Sequence, residues 1–270
     1  MSDDFIVPTS VVIDETMAAL GHRSQRLAQI SDAEVLTVAV VAARYCQNHH
    51  ERALQVRQGR GYLSGKLSTS RDNRRLHALA AWFLPLLETL GELFAQGEAF
   101  LRDSMPVPVC RRARARRSRK LSGRDFCGYG AAKREKFCGW RRHLGCTTGG
   151  VPVACDLVPG GWHDPTPIHA LTDALPEGAA VDGDQAYNAA DEEASIAADT
   201  GVRLVPIRKA NMRPNLWADK LALRAWRKRI ATLYSQLEPM GVQRLQARTN
   251  TGLERKVHAS LLAAVVANSD

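Results

Sequence analysis

No stretch of 18 consecutive apolar residues occurs in this 270-residue chain, so the sequence predicts no membrane-spanning helix. The first residues are acidic and form no apolar segment typical of a secretion signal, so we expect a cytoplasmic protein. None of the six cysteines, at positions 46, 110, 127, 138, 146 and 155, belongs to a Cys-x-x-Cys pair. This spacing argues against a zinc site and favours reduced thiols in the core.

What is present is a globular composition, with 45% hydrophobic and 24% charged residues. Residues 1–97 are predicted to be all-helical, and one helix begins at the capping box Ser31-Asp-Ala-Glu34. These helices could form a helix-turn-helix that contacts DNA or a bundle that joins two copies of the chain. The pattern does not decide between the two.

After Gly97 the period of the apolar residues changes, and residues 98–270 are predicted to form a second domain. Strands are expected at 99–109, 137–147 and 151–158, with a hairpin turn at 148–150. Short strands at 180–183 and 202–207 enclose a helix, and helices at 220–237 and 253–266 close the chain. Strands followed by alternating strands and helices predict a mixed α/β domain.

Positive charge is concentrated in one segment. Residues 101–150 contain 14 Lys and Arg against 3 Asp and Glu, a net of +11, whereas the whole chain is +9. The densest part is the stretch 111–120. This concentration predicts a polyanionic partner, most simply nucleic acid, with affinity rather than sequence specificity. The alternative is a solvated basic loop, and a loop of this kind can also become ordered on DNA.

Two aspartates accompany short apolar segments: Asp103 lies within the first strand of the second domain, after Ala99-Phe-Leu101, and Asp184 follows 180–183. Taken singly, each residue is more typical of a turn. Their shared context, in which an apolar strand precedes an acid twice in the same predicted sheet, favours a joint role. Carboxylates so placed could hold the two divalent ions used in phosphoryl displacement.

Several motifs in order resemble those of compact bacterial insertion-sequence transposases, and most closely insertion-sequence group nine-eight-two. The resemblance covers residue 30 to the C-terminus and is strongest over 100–260. The segments that carry it are Asp103-Ser-Met-Pro-Val-Pro-Val-Cys110, Gly128-Tyr-Gly-Ala-Ala-Lys133, Lys136-Phe-Cys-Gly-Trp-Arg-Arg-His143, Leu157-Val-Pro-Gly-Gly-Trp-His-Asp164 and Gly183-Asp-Gln-Ala-Tyr187.

The resemblance implies a ribonuclease-H-like catalytic domain with a triad of two aspartates and a glutamate that binds two Mg²⁺ or Mn²⁺ ions. The aspartates fall on Asp103 and Asp184; Asp182 is a neighbour that the family pattern favours less. The third acid falls on Ala231, where this chain departs from the pattern. Glu238, two helical turns further on, is a poor substitute. The departure predicts a chain that binds DNA with little or no catalysis.

The residues predicted to contact DNA are basic or polar side chains near these motifs. For most of them a solvated surface, a structural turn or a core position is an equally good interpretation, and Trp162 is better explained as core than as a base-stacking residue. The set comprises Arg111, Arg112, Arg114, Arg116, Arg117, Arg119, Lys120, Lys133, Lys136, Arg141, His143, His163, Arg208, Lys209, Asn211 and Arg227.

The function that the resemblance implies is a bacterial DNA transposase, expected to be a homodimer, that binds terminal inverted repeats and target DNA and cleaves and joins strands. The main alternative is a non-catalytic relative that occupies the element ends as a repressor. A third possibility, an RNA-binding protein that uses the arginine-rich stretch, leaves the placement of the aspartates unexplained.

Overall fold

A computed structural model describes residues 2–111, 113, 115, 121, 125–130, 134–162, 171–173, 175–183 and 188–269, without the side chains of Arg111 and Arg227. The chain divides into two compact units. The helical unit comprises Met1–Thr89 with Gln236–Asp270, and the sheet unit comprises Leu90–Ser235. The predicted division after residue 97 therefore differs in two respects, because the boundary falls earlier and the C-terminal residues belong with the helices.

The elements follow one another as the change of apolar period predicts, with helices first and a mixed sheet after them. The α-helices are α1 (Asp3–Ala19), α2 (Asp32–Cys46), α3 (His50–Gly59), α4 (Thr69–Ala78), α5 (Phe83–Phe94), α6 (Ala190–Thr200), α7 (Trp217–Leu237) and α8 (Asn250–Asn268). The strands are β1 (Ala99–Arg111), β2 (Cys127–Gly130), β3 (Glu135–Thr147), β4 (Pro152–Pro159), β5 (Ala180–Gly183) and β6 (Arg203–Pro206). In the described chain no helix is long and apolar enough to cross a membrane.

Helix α2 forms the centre of the helical unit. It begins at the predicted capping box: the Ser31 hydroxyl accepts a hydrogen bond from the Glu34 amide at 3.1 Å, and the Glu34 carboxylate accepts one from the Ser31 amide at 2.7 Å. The helix is apolar on nearly all sides and almost wholly buried, from Ala33 to Ala43. A helix of this kind is stable only when neighbours surround it, and α1, α3 and α8 do so.

The C-terminal segment belongs with the helices because polar and apolar contacts fix it there. Asn48, in a left-handed conformation after α2, donates from its side-chain amide to the Met240 carbonyl at 2.9 Å and to the Ser260 hydroxyl at 3.1 Å. One face of α8, which includes Leu253, Val257 and Leu261, is fully buried in the same unit. The sequence shows the apolar face of α8 but not which unit covers it.

The sheet unit contains a mixed sheet in the order β4-β3-β1-β5-β6, with β2 also paired to β3. Strands β1, β3 and β4 are antiparallel neighbours, whereas β5 and β6 run parallel to β1. The hairpin between β3 and β4 turns at Gly150, whose φ of +88° suits glycine. The parallel pair β1 and β5 places two strands that carry acids side by side, with Leu101 opposite Asp182.

The two faces of the sheet carry different side chains, because alternate residues of a strand point to opposite sides. Phe100 of β1 and Val181 of β5 join an apolar cluster with Ile196 of α6. The intervening residues of these strands, which include Leu101 and Asp182, therefore face the other side. Helix α7 lies on that side, where the Tyr234 hydroxyl donates to the Asp103 carbonyl at 2.8 Å.

The prediction of six reduced cysteines is wrong for one pair. Cys127 of β2 lies opposite Cys138 of β3, and the two form a disulfide. The cause is the antiparallel register, which sets the two Cα atoms 4.1 Å apart. Sequence spacing alone gave no sign of β2, so this pairing was not predictable from it. Cys46, Cys110, Cys146 and Cys155 are free thiols, and Cys46 and Cys146 are buried.

Candidate active site

A pocket of about 530 Å³ opens on the α7 side of the sheet, beside residues 101–103 of β1 and the end of β5. Its charged lining comes from three elements, with one carboxylate on each strand, an arginine on β1 and two cations on the helix. The full lining is Leu101, Arg102, Asp103, Asp182, Gly183, Ile207, Leu223, Arg224, Lys228, Ile230 and Ala231. The pocket therefore brings together Asp103 and Ala231, which the sequence places 128 residues apart.

Asp103 is held by its own strand and by α7. Its carboxylate accepts a hydrogen bond from the Ser104 amide at 2.7 Å, and its carbonyl accepts one from the Tyr234 hydroxyl. The Arg142 guanidinium, which is fully buried, lies 5.3 Å from the centre of the Tyr234 ring. These contacts hold β1 at Asp103 against the helix that carries position 231.

Asp182 is more deeply placed than Asp103, with 7% of its surface exposed. Its Oδ2 atom is buried and has no hydrogen-bond partner among the described residues. Burial raises the pKa of the Asp182 carboxyl to about 7; the Asp219 carboxylate adds to the rise and the Arg203 guanidinium opposes it. Arg203 and Asp219 also pair with each other at 3.1 Å.

Helix α7 presents two cations and an alanine to the pocket. Arg224, Lys228 and Ala231 follow a spacing of four and three residues, which places them on one face of a helix. All three are exposed where they line the pocket. A side chain longer than alanine at position 231 would therefore enter the space that Asp103 and Asp182 border.

The carboxylates suit a hard divalent cation, because Mg²⁺ and Mn²⁺ prefer carboxylate oxygen ligands and the buried Oδ2 atom of Asp182 lacks any other partner among the described residues. Within the described ranges, no three His, Cys, Asp or Glu side chains are grouped closely enough to hold a metal ion by themselves. Asp184, the residue after the end of β5, lies outside those ranges.

Many residues predicted to contact DNA also lie outside the described part of the chain. For Arg111 and Arg227 only the backbone is described. Lys136, Lys209 and Asn211 are exposed. The predicted residues outside the described ranges are Arg112, Arg114, Arg116, Arg117, Arg119, Lys120, Lys133 and His163.

Three of the predicted contacts have other roles in the structure. His143 is fully buried in β3, so the prediction of a DNA contact there is corrected: this side chain offers no surface to a ligand. Arg208 donates to both carboxylate oxygens of Glu193, at 2.6 and 2.7 Å, which accounts for it as a structural ion pair. Arg141 is half-buried and donates to the Tyr129 carbonyl at 3.2 Å.

Sequence reasoning favoured Asp184 over Asp182 and gave no role to Lys228 or Arg224. Signals for these residues were nevertheless present. In any strand that contains both, aspartates two residues apart share one face. The two cations precede position 231 by seven and three residues, which is the spacing of one helix face.

A mixed sheet of antiparallel strands extended by two parallel ones, with helices on both faces and acids on two adjacent strands, defines a ribonuclease-H-like domain. The family model of the transposase DDE domain matches residues 95–244. Because this match covers more than half of the sequence, the chain belongs to the transposase DDE domain family. No curated protein and no solved structure matched the chain. The family implies a DNA substrate and is generally dependent on divalent metal.

Proposed function

We propose that this chain is the transposase of a bacterial insertion sequence, of the kind found in group nine-eight-two, in a form with little or no catalytic activity. It binds the terminal inverted repeats of its element as a homodimer. The observation that carries the proposal is the placement of Ala231 in the same pocket as Asp103, on the helix where the family pattern has its third acid.

Asp103 and Asp184 would hold the divalent ions. When bound, Mg²⁺ or Mn²⁺ supplies charge neutralisation at the phosphodiester and lowers the pKa of the attacking water or 3′-hydroxyl. The chain's own residues position the DNA: Arg224 and Lys228 are exposed at the pocket and are suited to backbone phosphates. These two side chains would orient the DNA and raise the affinity for it, whether or not its strands are cut.

The missing acid favours a second function as well, that of a protein which occupies the element ends and represses transposition. Binding and repression need the basic surfaces and the fold but not the third carboxylate. The exposed side of α4, with Arg71, Asn73 and Arg74, is a candidate DNA contact in the helical unit. We expect transposition and repression to use this same surface. An assay of DNA cleavage is therefore the measurement that distinguishes the two functions.

The proposal is tested by comparing three labelled ligands of equal length: duplex DNA with the terminal repeats that flank the coding sequence, a scrambled duplex, and RNA. Fluorescence anisotropy at fixed salt should show the tightest binding to the repeats. Equal binding to the two duplexes would remove the terminal-repeat assignment. Preference for RNA would instead support the RNA-binding interpretation.

A further inference from the structure

Asp182 carries a feature that the fold does not explain. A buried carboxyl oxygen normally accepts hydrogen bonds or pairs with a cation, since burial without a partner is costly. The Oδ2 atom of Asp182 has neither among the described residues, although the residue is 7% exposed. Arg203, whose charge lowers the pKa of this carboxyl, donates hydrogen bonds to Asp219.

Strand register places this carboxyl on the same face as Asp103. Leu101 of β1 lies opposite Asp182 of β5, and Asp103 is two residues further along β1, so all three side chains share one face. Asp103 and Asp182 are thus diagonal neighbours, and the Cα atoms of diagonal neighbours in a sheet lie roughly 7–8 Å apart. Carboxylate side chains that extend from both positions can approach the two ions of a site whose metals are about 3.5–4 Å apart.

The pocket adds an independent observation, because both aspartates and Ala231 line the same space. In this pocket α7 contributes no acid, whereas β5 contributes the buried carboxyl of Asp182. A cation in the pocket would give the orphaned Oδ2 atom a partner and would offset the negative charge that Asp103 and Asp182 bring together.

We propose that Asp182 is a metal-ligating carboxylate of this pocket, acting with Asp103 in a chain that has no acid at position 231. The inference rests on the proposed function, in which the pocket holds divalent metal, and adds to it a ligand that the family pattern does not include. It does not depend on where Asp184 lies. It predicts that the chain keeps a metal site even though the family's third acid is absent.

The test measures binding of Mn²⁺ itself, by titration calorimetry and by the electron paramagnetic resonance signal of free Mn²⁺, on the full chain. Asp182→Asn removes the charge with almost no change of shape and should weaken Mn²⁺ binding at least about tenfold, or about 1.4 kcal/mol. Asp103→Asn should have a similar effect. Asp156→Asn is the matched control: Asp156 lies on β4 opposite His143, on the other face of the sheet, and its replacement should leave affinity unchanged.

The outcomes separate this inference from the proposed function. If Asp103→Asn weakens Mn²⁺ binding and Asp182→Asn does not, Asp182 is no ligand and the proposed metal pocket stands. If the chain binds no Mn²⁺ but its Ala231→Glu variant does, the inference is again overturned and the proposed function survives. If neither binds Mn²⁺, both fail. Circular dichroism without metal checks folding, and Asp182→Ser replaces Asp182→Asn if the latter does not fold.

Discussion

At the residue scale, the pocket combines acids on strands with cations on a helix. Asp103 and Asp182 come from adjacent parallel strands, and Arg224 and Lys228 come from the helix that covers them. Opposite charges in this arrangement suit a substrate that is itself a polyanion and that reacts with the help of metal ions. Ala231 lines the same pocket. The family pattern has an acid at this position, whereas this chain has an apolar residue.

A buried histidine gives a pH-dependent prediction at the same scale. Burial lowers the pKa of His143 to about 3, and the nearby Arg102 and Arg141 guanidinium groups contribute to the lowering. The folded state therefore keeps His143 neutral, while the unfolded chain takes up a proton below a pKa of about 6.5. Stability from this residue is fully present above pH 6.5 and is lost as pH falls towards 3. Between pH 8 and 5 the decrease should be about 2 kcal/mol.

Urea unfolding of the chain at several pH values measures this decrease. In the His143→Gln variant, unfolding should take up about one proton fewer below pH 6.5, so the unfolding free energy should depend less steeply on pH. The variant should also be less stable at every pH. His49→Gln, which replaces an exposed histidine, is the control. An identical pH dependence for His143→Gln and the unaltered chain would contradict the assignment of a neutral buried imidazole.

The sequence predicts a residue's position well when spacing along a helix determines which face carries it. It does not predict whether a residue of a strand is buried. The helix predicted at 220–237 carries position 231, and the structure has that position at the pocket with Asp103. His143 stands in a basic stretch that is typical of a surface, yet β3 has neighbours on both sides and this face of it is covered. A single sequence does not show which strand is central, so it could not show that His143 is inside.

At the scale of elements, the long strands β1 and β3 meet at an irregular point that only glycine fits. The register between them shifts between Pro108 and Cys110, opposite Gly139 and Cys138. A Cβ atom at Gly139 would lie 2.8 Å from the Val109 nitrogen and 3.0 Å from the Pro108 Cα atom, and closer still to the Val107 carbonyl oxygen. All of these are backbone atoms, so the strands themselves would have to move.

Gly139→Ala should therefore lower the unfolding free energy of the sheet unit by about 1–3 kcal/mol, which is typical of overpacking in a well-packed interior. Gly145→Ala on the same strand is the matched control, because its added Cβ would lie 3.5 Å from the Ala154 Cβ atom, an ordinary contact. Denaturant unfolding compares the two. Equal stability of both variants would show that the bulge between β1 and β3 yields more easily than its geometry indicates.

Helix α4 is the candidate DNA contact that we propose in the helical unit. It begins at the Ser68 cap, and Asp72 and Leu76 form its buried side. Arg71, Asn73 and Arg74 are exposed on the remaining surface, and guanidinium and amide groups are the side chains that most often contact phosphates and base edges.

Replacing both Arg71 and Arg74 with Gln should weaken binding to terminal-repeat DNA by about tenfold or more, equivalent to at least roughly 1.4 kcal/mol. Arg52→Gln on α3 removes an exposed arginine from another helix of the same unit and is the control. Anisotropy titrations measure both. If the double variant binds as well as the control, the helical unit serves the alternative role of joining two copies.

The element pattern could be predicted well where an apolar period is long, and poorly where it is short. Strand β5 was expected at its observed bounds, and β3 and α7 within a few residues of theirs. The short β2 was not expected, because four residues with two glycines carry no alternation that distinguishes a strand. Pro85 stands in the first turn of α5, where proline costs no hydrogen bond.

At the scale of the whole molecule, charge is the dominant feature. Residues 101–150 carry a net charge of +11, whereas the remaining 220 carry −2 in sum, since the whole chain is +9. Most of this excess lies in the stretch 111–120, which adjoins the end of β1 in sequence. Because β1 also carries Asp103, the stretch 111–120 follows the candidate active-site residue Asp103 within a few residues of sequence.

Replacing Arg111, Arg112, Arg114, Arg116 and Arg117 with Gln should weaken DNA binding and flatten its salt dependence. Each phosphate that an arginine no longer neutralises removes about 0.9 from the slope of log affinity against log salt, so five phosphates account for up to about 4–5. Anisotropy titrations between low and moderate NaCl give the slope. An unchanged slope would mean that the stretch is only a solvated loop.

The domain arrangement marks the limit of prediction at this scale. A change from helical to strand periodicity near Gly97 coincides with the passage from α5 to β1 along the chain. It cannot reveal that α8, after the sheet unit in sequence, returns to the helical unit, because its contacts through Asn48 and Ser260 join residues 212 apart. Non-local contacts of this kind leave no local pattern in a single sequence.

The central claim is that Ala231 alone separates this chain from an active transposase, and strand cleavage tests it most directly. Terminal-repeat DNA with Mn²⁺ should be left intact by the chain as it stands and by Ala231→Gln, which matches glutamate in size without its charge. Ala231→Glu should cleave it, and Asp184→Asn in that background should abolish cleavage. The helix itself should tolerate glutamate at a cost of only tenths of a kcal/mol, so stability would not obscure the result. Cleavage by the unaltered chain at the rate of Ala231→Glu would contradict the claim.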